Sequence, residues 1–274
     1  MIFSTRMSVC IVDLYFGEPL PPNLKADIIR WNQSPVPVPG ALCTPFATIV
    51  VDLLLPEEKL FSNLKSHTRT KIRRAQKDSL TYEFSNDGNR ESVMQLADHL
   101  DRCRDLKSLP RVGRERLFIL ARQKMLDFSW VRDESGEMLC ASSYIITPCR
   151  LRGLFAGASF ISINDPSRRN LIGRANRLLY WRDIMRFKEA GFRFFDHGGY
   201  YIGSEDQEKL RVNQFKEEFG GKIMHEFNCE QGISVRGKFV LWAMRRRGEW
   251  VTRRRSRALQ SLAEQHESPI PTSV

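Results

Sequence analysis

One run of sequence, Gly191–Gly221 (GFRFFDHGGYYIGSEDQEKLRVNQFKEEFGG), constrains the fold of this chain more than any other feature. Its first glycine ends a long amphipathic segment, as the cap after a helix does. An apolar strand follows and ends at Asp196, and Gly198 and Gly199 then allow another backbone or a ligand to approach closely. A helix fills the rest of the run. The run therefore predicts a helix end, a strand, an open turn and a second helix.

The remaining chain alternates strands and helices. In chain order, the pattern predicts strands at 47–54, 81–84, 126–132, 138–147, 151–159, 192–196 and 222–227, and helices at 56–75, 91–104, 114–125, 171–190 and 206–219. The segment DESG, residues 133–136, is a hairpin signal, so the middle strands form an antiparallel meander. This order predicts an α/β fold of the α+β type with a mixed sheet.

Length and composition agree with a soluble globular protein. The 274 residues suffice for one large domain, or for one domain and part of a second. We expect an N-terminal arm or remnant of a first half at 1–45, the main domain at 46–230, a basic C-terminal helix at 231–264 and a disordered tail at 265–274. The apolar stretches are too short to span a bilayer, and the N-terminus lacks the pattern of a signal peptide. These features predict a cytoplasmic protein.

Cysteine and histidine usage gives no metal pattern. The six cysteines and five histidines are dispersed, and no two cysteines have the spacing of metal ligands. We therefore expect reduced, mostly buried thiols, no metal and no redox cofactor.

The positive charge is concentrated in two segments. The net charge is +11, and residues 65–77 contain six lysines and arginines without an acid. Residues 236–257 contain nine, against Glu249 alone. Such surfaces attract nucleic acid, nucleotide phosphates or anionic lipid, so peripheral contact with an anionic surface is one expectation. A solvated helix face is the alternative.

Three stretches share order and spacing with a known family. They are Val51–Lys77 with its basic ending RTKIRRAQK, Ala175–Gly199 (ANRLLYWRDIMRFKEAGFRFFDHGG) and Val212–Gly221 (VNQFKEEFGG). Together they resemble the Fem-type (FemABX) aminoacyl-tRNA-dependent transferases of the GNAT acyltransferase superfamily. The resemblance implies a GNAT-like acyl-CoA N-acyltransferase fold. It also implies transfer of an aminoacyl group from aminoacyl-tRNA to an amine. Fem-type enzymes usually have two GNAT-like halves, whereas this chain has room for one, so the acceptor stays open.

The resemblance also implies the site. Lys216 of the Phe-Lys pair would lie near the acyl group and stabilise the oxyanion or the departing ribose oxygen. The alternative is an exposed helix lysine paired with Glu217 or Glu218. The other catalytic candidates are Asp196 and Phe215, and the substrate-binding candidates are Asn176, Trp181, His197, Gly198, Gly199, Tyr200 and Tyr201. Asp196 could instead cap a turn, Phe215 could pack the helix, and His197 could be a base or a turn residue.

Phosphate groups would meet arginines and lysines. The candidates are Arg69, Lys71, Arg73, Arg74, Arg168, Arg169, Arg174, Arg245, Arg246, Arg247, Arg253, Arg254 and Arg255. Trp242 and Trp250 could stack on bases or dock the C-terminal helix. The segment Arg169–Ala175 (RNLIGRA) is one residue too long for the pyrophosphate loop of acyl-CoA-using GNAT enzymes, although a phosphate could still bind at this helix start.

Three functions remain open at this point. The first is aminoacyl transfer from tRNA to an amine without a cofactor. The second is an N-acetyltransferase that uses acyl-CoA as its co-substrate. The third is a GNAT-like module that binds RNA and has no catalytic activity.

Overall fold

The structure of the protein, a computed structural model, describes residues 1–6, 9–148, 150–159 and 165–246. The strands are β1 (Ile2–Arg6), β2 (Val9–Tyr15), β3 (Ile28–Ser34), β4 (Leu42–Asp52), β5 (Thr81–Ser85), β6 (Leu126–Arg132), β7 (Met138–Ile146), β8 (Arg150–Ala158), β9 (Phe194–Gly199) and β10 (Lys222–Gly232). The helices are α1 (Glu57–Asn63), α2 (Ser66–Ala75), α3 (Arg90–Asp105), α4 (Arg114–Arg122), α5 (Pro166–Glu189) and α6 (Gln207–Glu217), and residues 235–246 form a further helix.

All ten strands belong to one mixed sheet with the order β1-β2-β3-β10-β4-β9-β8-β7-β6-β5. Neighbours are antiparallel except for two parallel pairs, β2 with β3 and β8 with β9. The β8–β9 pairing is short, because it joins only Arg150–Arg152 to Phe194–Asp196. Beyond it, β8 stays paired with β7 and β9 stays paired with β4. The sheet therefore opens between β8 and β9.

Helices cover both faces of the sheet. On one face, α1, α2, α5 and α6 pack around Leu60, Ile72, Trp181, Phe195 and Phe219. On the other, α3 and α4 pack around Leu96, Leu117, Phe128 and Ile145, and Tyr15 at the end of β2 joins this cluster. Burial of these apolar surfaces is the main stabilising contribution to the fold. The opening between β8 and β9 lies between the two helical layers.

Two predicted helix boundaries are wrong. The helix expected at 56–75 is two helices, because Leu64 and Lys65 are extended. The Lys65 amide donates to Glu218 O (3.0 Å), and Arg69 donates to the carbonyls of Ser62 (2.9 Å) and Leu64, which close the end of α1. Helix α5 begins before residue 171, at Pro166. Asp165 caps it by accepting a hydrogen bond from the Ser167 amide (2.8 Å).

The N-terminal residues, whose sequence pattern is irregular, form strands. β3 pairs with β10, and β2 and β1 extend the sheet from it. The prediction of reduced cysteines is wrong for one pair, because Cys43 and Cys229 form a disulfide. They lie directly opposite each other on β4 and β10, a register that spacing along the sequence does not reveal. Cys10, Cys103 and Cys140 are free.

Candidate functional site

A cleft of about 260 Å³ opens where β8 and β9 diverge, and it is called the central cleft below. Side chains from β7, β8, β9, α5 and α6 line it, among them Arg152, Tyr180, His197 and Lys216. Lys216 and Tyr180 come from the face covered by α5 and α6. The cleft brings together four of the residues predicted from the sequence, namely Lys216, His197, Gly198 and Gly199.

Lys216 is held inside this cleft by backbone carbonyls. Its Nζ donates to Gly198 O (3.2 Å) and to Gly199 O. Burial lowers the pKa of its ammonium group from 10.5 to about 8. The charge of Asp196 opposes this shift, and that of Arg152 adds to it. Lys216 makes no ion pair with Glu217 or Glu218, since Glu217 accepts from the Tyr200 hydroxyl (2.8 Å) and Glu218 binds other partners. The alternative of an exposed, paired lysine is therefore wrong.

His197 lies beside Lys216 and is buried. Its ring stacks on Tyr180 (5.8 Å between centroids) and meets Phe195 edge-on (4.9 Å). Neither ring nitrogen has a hydrogen-bond partner among the described residues. Burial and, to a smaller extent, the charge of Lys216 lower the pKa of His197 to about 3, and the charge of Asp196 opposes this shift. The ring is therefore neutral at pH 7 and a weak base, but it can exchange a hydrogen bond with a bound substrate.

Asp196 lies at the centre of a buried ionic network. Its carboxylate accepts from Gln33 Nε2 (2.7 Å), from Arg150 Nη2 (2.5 Å), from the Thr48 hydroxyl and from the Gly198 amide (2.7 Å). Of the two roles that the sequence left open for Asp196, capping the turn is therefore present. With its oxygens occupied, the carboxylate positions the turn and has little capacity for a substrate amine.

The same network contains a second carboxylate, Glu226 on β10. Arg150 donates to Glu226 Oε1 (2.5 Å), and Gln33 also donates to it (2.9 Å). Burial disfavours the charge of the Arg150 guanidinium. Its hydrogen bonds to Glu226 and the attraction of Asp196 outweigh burial and raise its pKa. The network thus joins β3, β4, β8, β9 and β10 beneath the central cleft.

Gly198 supplies the backbone conformation that this turn requires. Its φ is +75°, and a Cβ atom there would lie 2.7 Å from Gly153 O on β8. We expect Gly198→Ala to lower the free energy of unfolding by about 2–3 kcal/mol, since left-handed strain and a backbone clash add. Urea denaturation would measure the loss.

Gly191 is the matched control for this prediction. Its φ is +84°, but no atom lies within 4 Å of the position of a Cβ. Gly191→Ala should therefore cost only the strain of the left-handed conformation, about 1 kcal/mol. Equal losses for the two variants would contradict the close approach of Gly198 to β8.

The aromatic candidates fall in different places. Phe215 packs against Tyr180 (5.1 Å) and Phe219 (5.3 Å), so it shapes the wall behind the central cleft. Tyr200 and Tyr201 line a neighbouring cleft of about 630 Å³ on the outer side of α6. The structure does not bring the other two candidates, both on α5, into these clefts. Trp181 is buried against Phe61 (5.1 Å), and Asn176 is half-buried.

A second cleft of about 520 Å³, called the basic cleft below, lies between α2 and the start of α5. The basic residues that line it are Lys71, Arg74, Arg169, Arg174 and Arg177. Burial lowers the pKa of Lys71, and the nearby charge of Arg177 lowers it further, which indicates crowded positive charge. Arg174 pairs with Asp78 (2.6 Å) and Arg177 with Glu218 (2.7 Å). Arg74 and Arg169 are exposed.

The remaining basic candidates lie outside this cleft. Arg73 stacks on Phe61 (5.3 Å), and Arg168 is paired with Asp133 (2.6 Å) and Glu137 (2.5 Å). Arg245 lies 3.4 Å from Glu230, and Arg246 lies over Trp242, which is 55% exposed. The candidates Arg247, Arg253, Arg254, Arg255 and Trp250 fall outside the described residues.

Sequence reasoning missed several residues of the site. Arg150 and Arg152 stand two positions apart on β8, and this alternation of arginines in an otherwise apolar strand was an available signal. Gln33 and Thr48 carried none, because a single polar residue in a strand is common. Arg177 could not be recognised as a site residue, because an arginine is expected on the polar side of an amphipathic helix.

The mixed sheet and its open parallel strand pair agree with the GNAT-like fold that the sequence predicts. Among solved structures, FemX is similar over 66% of this chain and 61% of its own length, with a TM-score of 0.55 and 13% identity. L-PGS from Bacillus licheniformis is similar over 78% of this chain and 71% of its own (TM-score 0.46, 13% identity). Saccharomyces cerevisiae N-myristoyltransferase with bound myristoyl-CoA is similar over 74% and 53% (TM-score 0.39, 11% identity).

The likeness to FemX confirms the predicted GNAT-like, FemABX-like fold. No family model and no curated protein matches the sequence. None of the described helices combines the length and the apolar character needed to cross a bilayer. Within the described ranges, no group of three or more His, Cys, Asp and Glu side chains is arranged around a metal position.

Proposed function

We propose that this protein is an acyltransferase of the GNAT-like class that forms an amide bond by moving an aminoacyl group from aminoacyl-tRNA to an amine. The observation that carries the proposal is Lys216, a partly buried ammonium group fixed by two carbonyls in the cleft between β8 and β9. A fixed cation in a confined site stabilises negative charge that develops during acyl transfer.

The chemistry follows from this position. The amine attacks the ester carbonyl, and the carbonyl oxygen of the tetrahedral state becomes negative. Lys216 stabilises this oxygen or the departing ribose oxygen. Its pKa of about 8 lets it give a proton to the ribose oxygen as the ester bond breaks and take one back from the attacking nitrogen, which leaves an amide and a free ribose hydroxyl. Binding of both substrates in the cleft supplies proximity. Neutral His197 offers a hydrogen bond to either substrate.

The basic cleft supports a polyanionic donor. Arg74 and Arg169 are exposed on its walls, so both can meet phosphates of an RNA backbone without first breaking an ion pair among the described residues. The segment Arg169–Ala175 lies inside helix α5, and the Arg169 amide already donates to Asp165 O (3.0 Å). The backbone amides of this segment are therefore less free to bind a pyrophosphate than those of a loop. This favours tRNA over acyl-CoA as the donor.

Donor identity is tested by incubating the protein with charged tRNA, deacylated tRNA and acetyl-CoA in turn, with a panel of amines. The proposal expects amide formation from charged tRNA and competition by deacylated tRNA. Tight binding of acetyl-CoA without affinity for tRNA would overturn the proposed donor. Binding of tRNA with no transfer to any amine would instead support an RNA-binding module without catalysis.

The charge of the basic cleft is tested separately. We expect the double variant Arg74→Gln/Arg169→Gln to weaken tRNA binding and to lower the slope of log K against log[salt] by about 1.5, since two phosphate contacts are lost. Arg102→Gln is the control, because Arg102 is an exposed arginine on α3, away from this cleft. Filter binding over a salt series measures both quantities. Equal slopes for the three proteins would place the tRNA elsewhere.

A further inference from the structure

Two arginines on β8 have opposite environments. Arg150 and Arg152 are two residues apart in a strand, so their side chains leave the same face of the sheet. Arg150 binds both carboxylates of the buried network, Asp196 and Glu226. No salt bridge joins Arg152 to a carboxylate in the part of the chain that the structure describes, and its buried Nε has no hydrogen-bond partner there.

Aromatic and charged groups surround Arg152. The guanidinium lies over the ring of Phe46 (5.3 Å) and lines the central cleft together with Lys216. Burial lowers its pKa, the charge of Asp196 opposes this shift, and the charges of Arg116 and Arg150 add to it. The side chain is half-buried, and a partly desolvated cation that makes no direct salt bridge is unfavourable for folding.

We propose that Arg152 is the binding residue for an anionic group, a carboxylate, on the amine acceptor. The planar guanidinium matches a carboxylate in two-pronged geometry, and the missing ion pair is then supplied by the substrate. The assignment to the acceptor rests on the proposed acyl transfer. The basic cleft that would take the donor lies beside α2 and α5, whereas Arg152 leaves the sheet on the face of α3 and α4.

This placement orders the substrates around the opening in the sheet. The donor reaches the central cleft from the side of α2 and α5, where Lys216 is anchored, and the acceptor reaches it from the side of Tyr15 and Arg152. The amine of an acceptor held at Arg152 then points toward the ester near Lys216. An acceptor without the anionic group can still react, but Arg152 does not bind it.

A binding experiment tests the inference without any transfer reaction. The melting temperature of the full chain is measured with increasing acetate, and with acetamide as a neutral molecule of nearly the same shape. We expect acetate to stabilise the wild-type protein more than acetamide does, and Arg152→Gln to remove this difference. Arg102→Gln should keep it. An equal response to acetate and acetamide in the wild type, or an unchanged difference in Arg152→Gln, would overturn the anion site.

The melting temperature of the variant Arg152→Met, measured without a ligand, is a second test. Because Arg152 is half-buried and makes no salt bridge among the described residues, we expect Arg152→Met to raise the melting temperature in buffer without small anions. A purely structural arginine would give the opposite result, a fall in the melting temperature. Methylphosphonate in place of acetate separates the sources of the anion, and a preference for it over acetate would overturn the carboxylate assignment.

Kinetics then test the assignment to the acceptor. With charged tRNA as donor, β-alanine and its amide form a pair of acceptors that differ in the carboxylate. We expect KM for β-alanine to rise about tenfold to a hundredfold in Arg152→Gln, while KM for the amide and both kcat values stay within about threefold. Arg152→Lys should recover part of the loss. If acetate binds at Arg152 but the two acceptors respond equally, the anion belongs to the donor. If no amine reacts at all, the proposed function fails and the anion site stands.

Discussion

Lys216→Ala should reduce the rate of aminoacyl transfer by at least about a hundredfold, which is the loss expected when one fixed oxyanion donor is removed. The ammonium group is held by the carbonyls of Gly198 and Gly199 inside the central cleft, so its removal takes away charge stabilisation that water cannot replace in the same geometry. Single-turnover transfer from charged tRNA, with both substrates saturating, measures this step directly.

The fold should survive this change. Burial lowers the pKa of Lys216, so the folded state holds its charge less readily than the unfolded state does. Such a base reduces stability below its folded pKa of about 8, and this penalty disappears as the pH rises toward 10.5. Lys216→Ala is therefore expected to unfold at no lower urea concentration than the wild type at pH 7. Lys59→Ala, an exposed lysine on α1, is the control for charge and should retain full activity.

The pH dependence separates charge from shape. With hydroxylamine, an acceptor that stays neutral over the range tested, transfer should fall as the pH rises through about 8, because Lys216 loses its proton there. Lys216→Arg should be slower than the wild type but should show no such fall, since arginine keeps its charge. Full activity of Lys216→Ala, or the same fall in Lys216→Arg, would refute the assigned role.

Arg150→Leu should lower the free energy of unfolding by about 3–5 kcal/mol. Arg150 is buried and forms salt bridges to both Asp196 and Glu226, with N–O distances of 2.5 Å to each. Removing it leaves two carboxylates inside the protein without their main partner, and desolvated charge of this kind is costly. Urea denaturation of the folded chain measures the loss.

Arg111→Leu is the matched control for this variant. Arg111 also binds a carboxylate through two nitrogens, with Nη2 2.9 Å from Asp105, but both side chains are mostly exposed. An exposed ion pair contributes at most about 1 kcal/mol, so the same substitution should have a small effect. If Arg150→Leu were as mild as this control, the network would not hold β8, β9 and β10 together.

The order of strands and helices after residue 46 could be predicted because each element has a clear apolar period and a turn signal. The strands before Leu42 could not be, since Pro-rich segments interrupt them and β3 joins them to the rest of the sheet through β10, which lies about 190 residues away in the sequence. Similarly, the break between α1 and α2 depends on Glu218, a distant residue whose carbonyl binds the Lys65 amide.

Site residues that belong to a sequence motif could be predicted. Site residues whose role depends on contacts in the folded protein could not. Lys216, His197 and Gly198 are predicted as site residues from one sequence run that resembles the Fem-type family, and all three line the central cleft. Trp181 came from the same resemblance, yet its side chain fills the core against Phe61, because the face of a long helix is set by packing. The Nε of Arg152 has no hydrogen-bond partner among the described residues, and no sequence pattern displays the absence of a contact.

The disulfide between Cys43 and Cys229 closes a covalent ring. It joins positions 186 residues apart, and the central cleft, the basic cleft and the helices α1 to α6 lie on the chain between them. In the chain-entropy model a ring of this size stabilises the folded state by about 5 kcal/mol. A protease that cuts one exposed loop inside the ring therefore leaves two pieces that remain joined, and they separate on a denaturing gel only after a thiol is added.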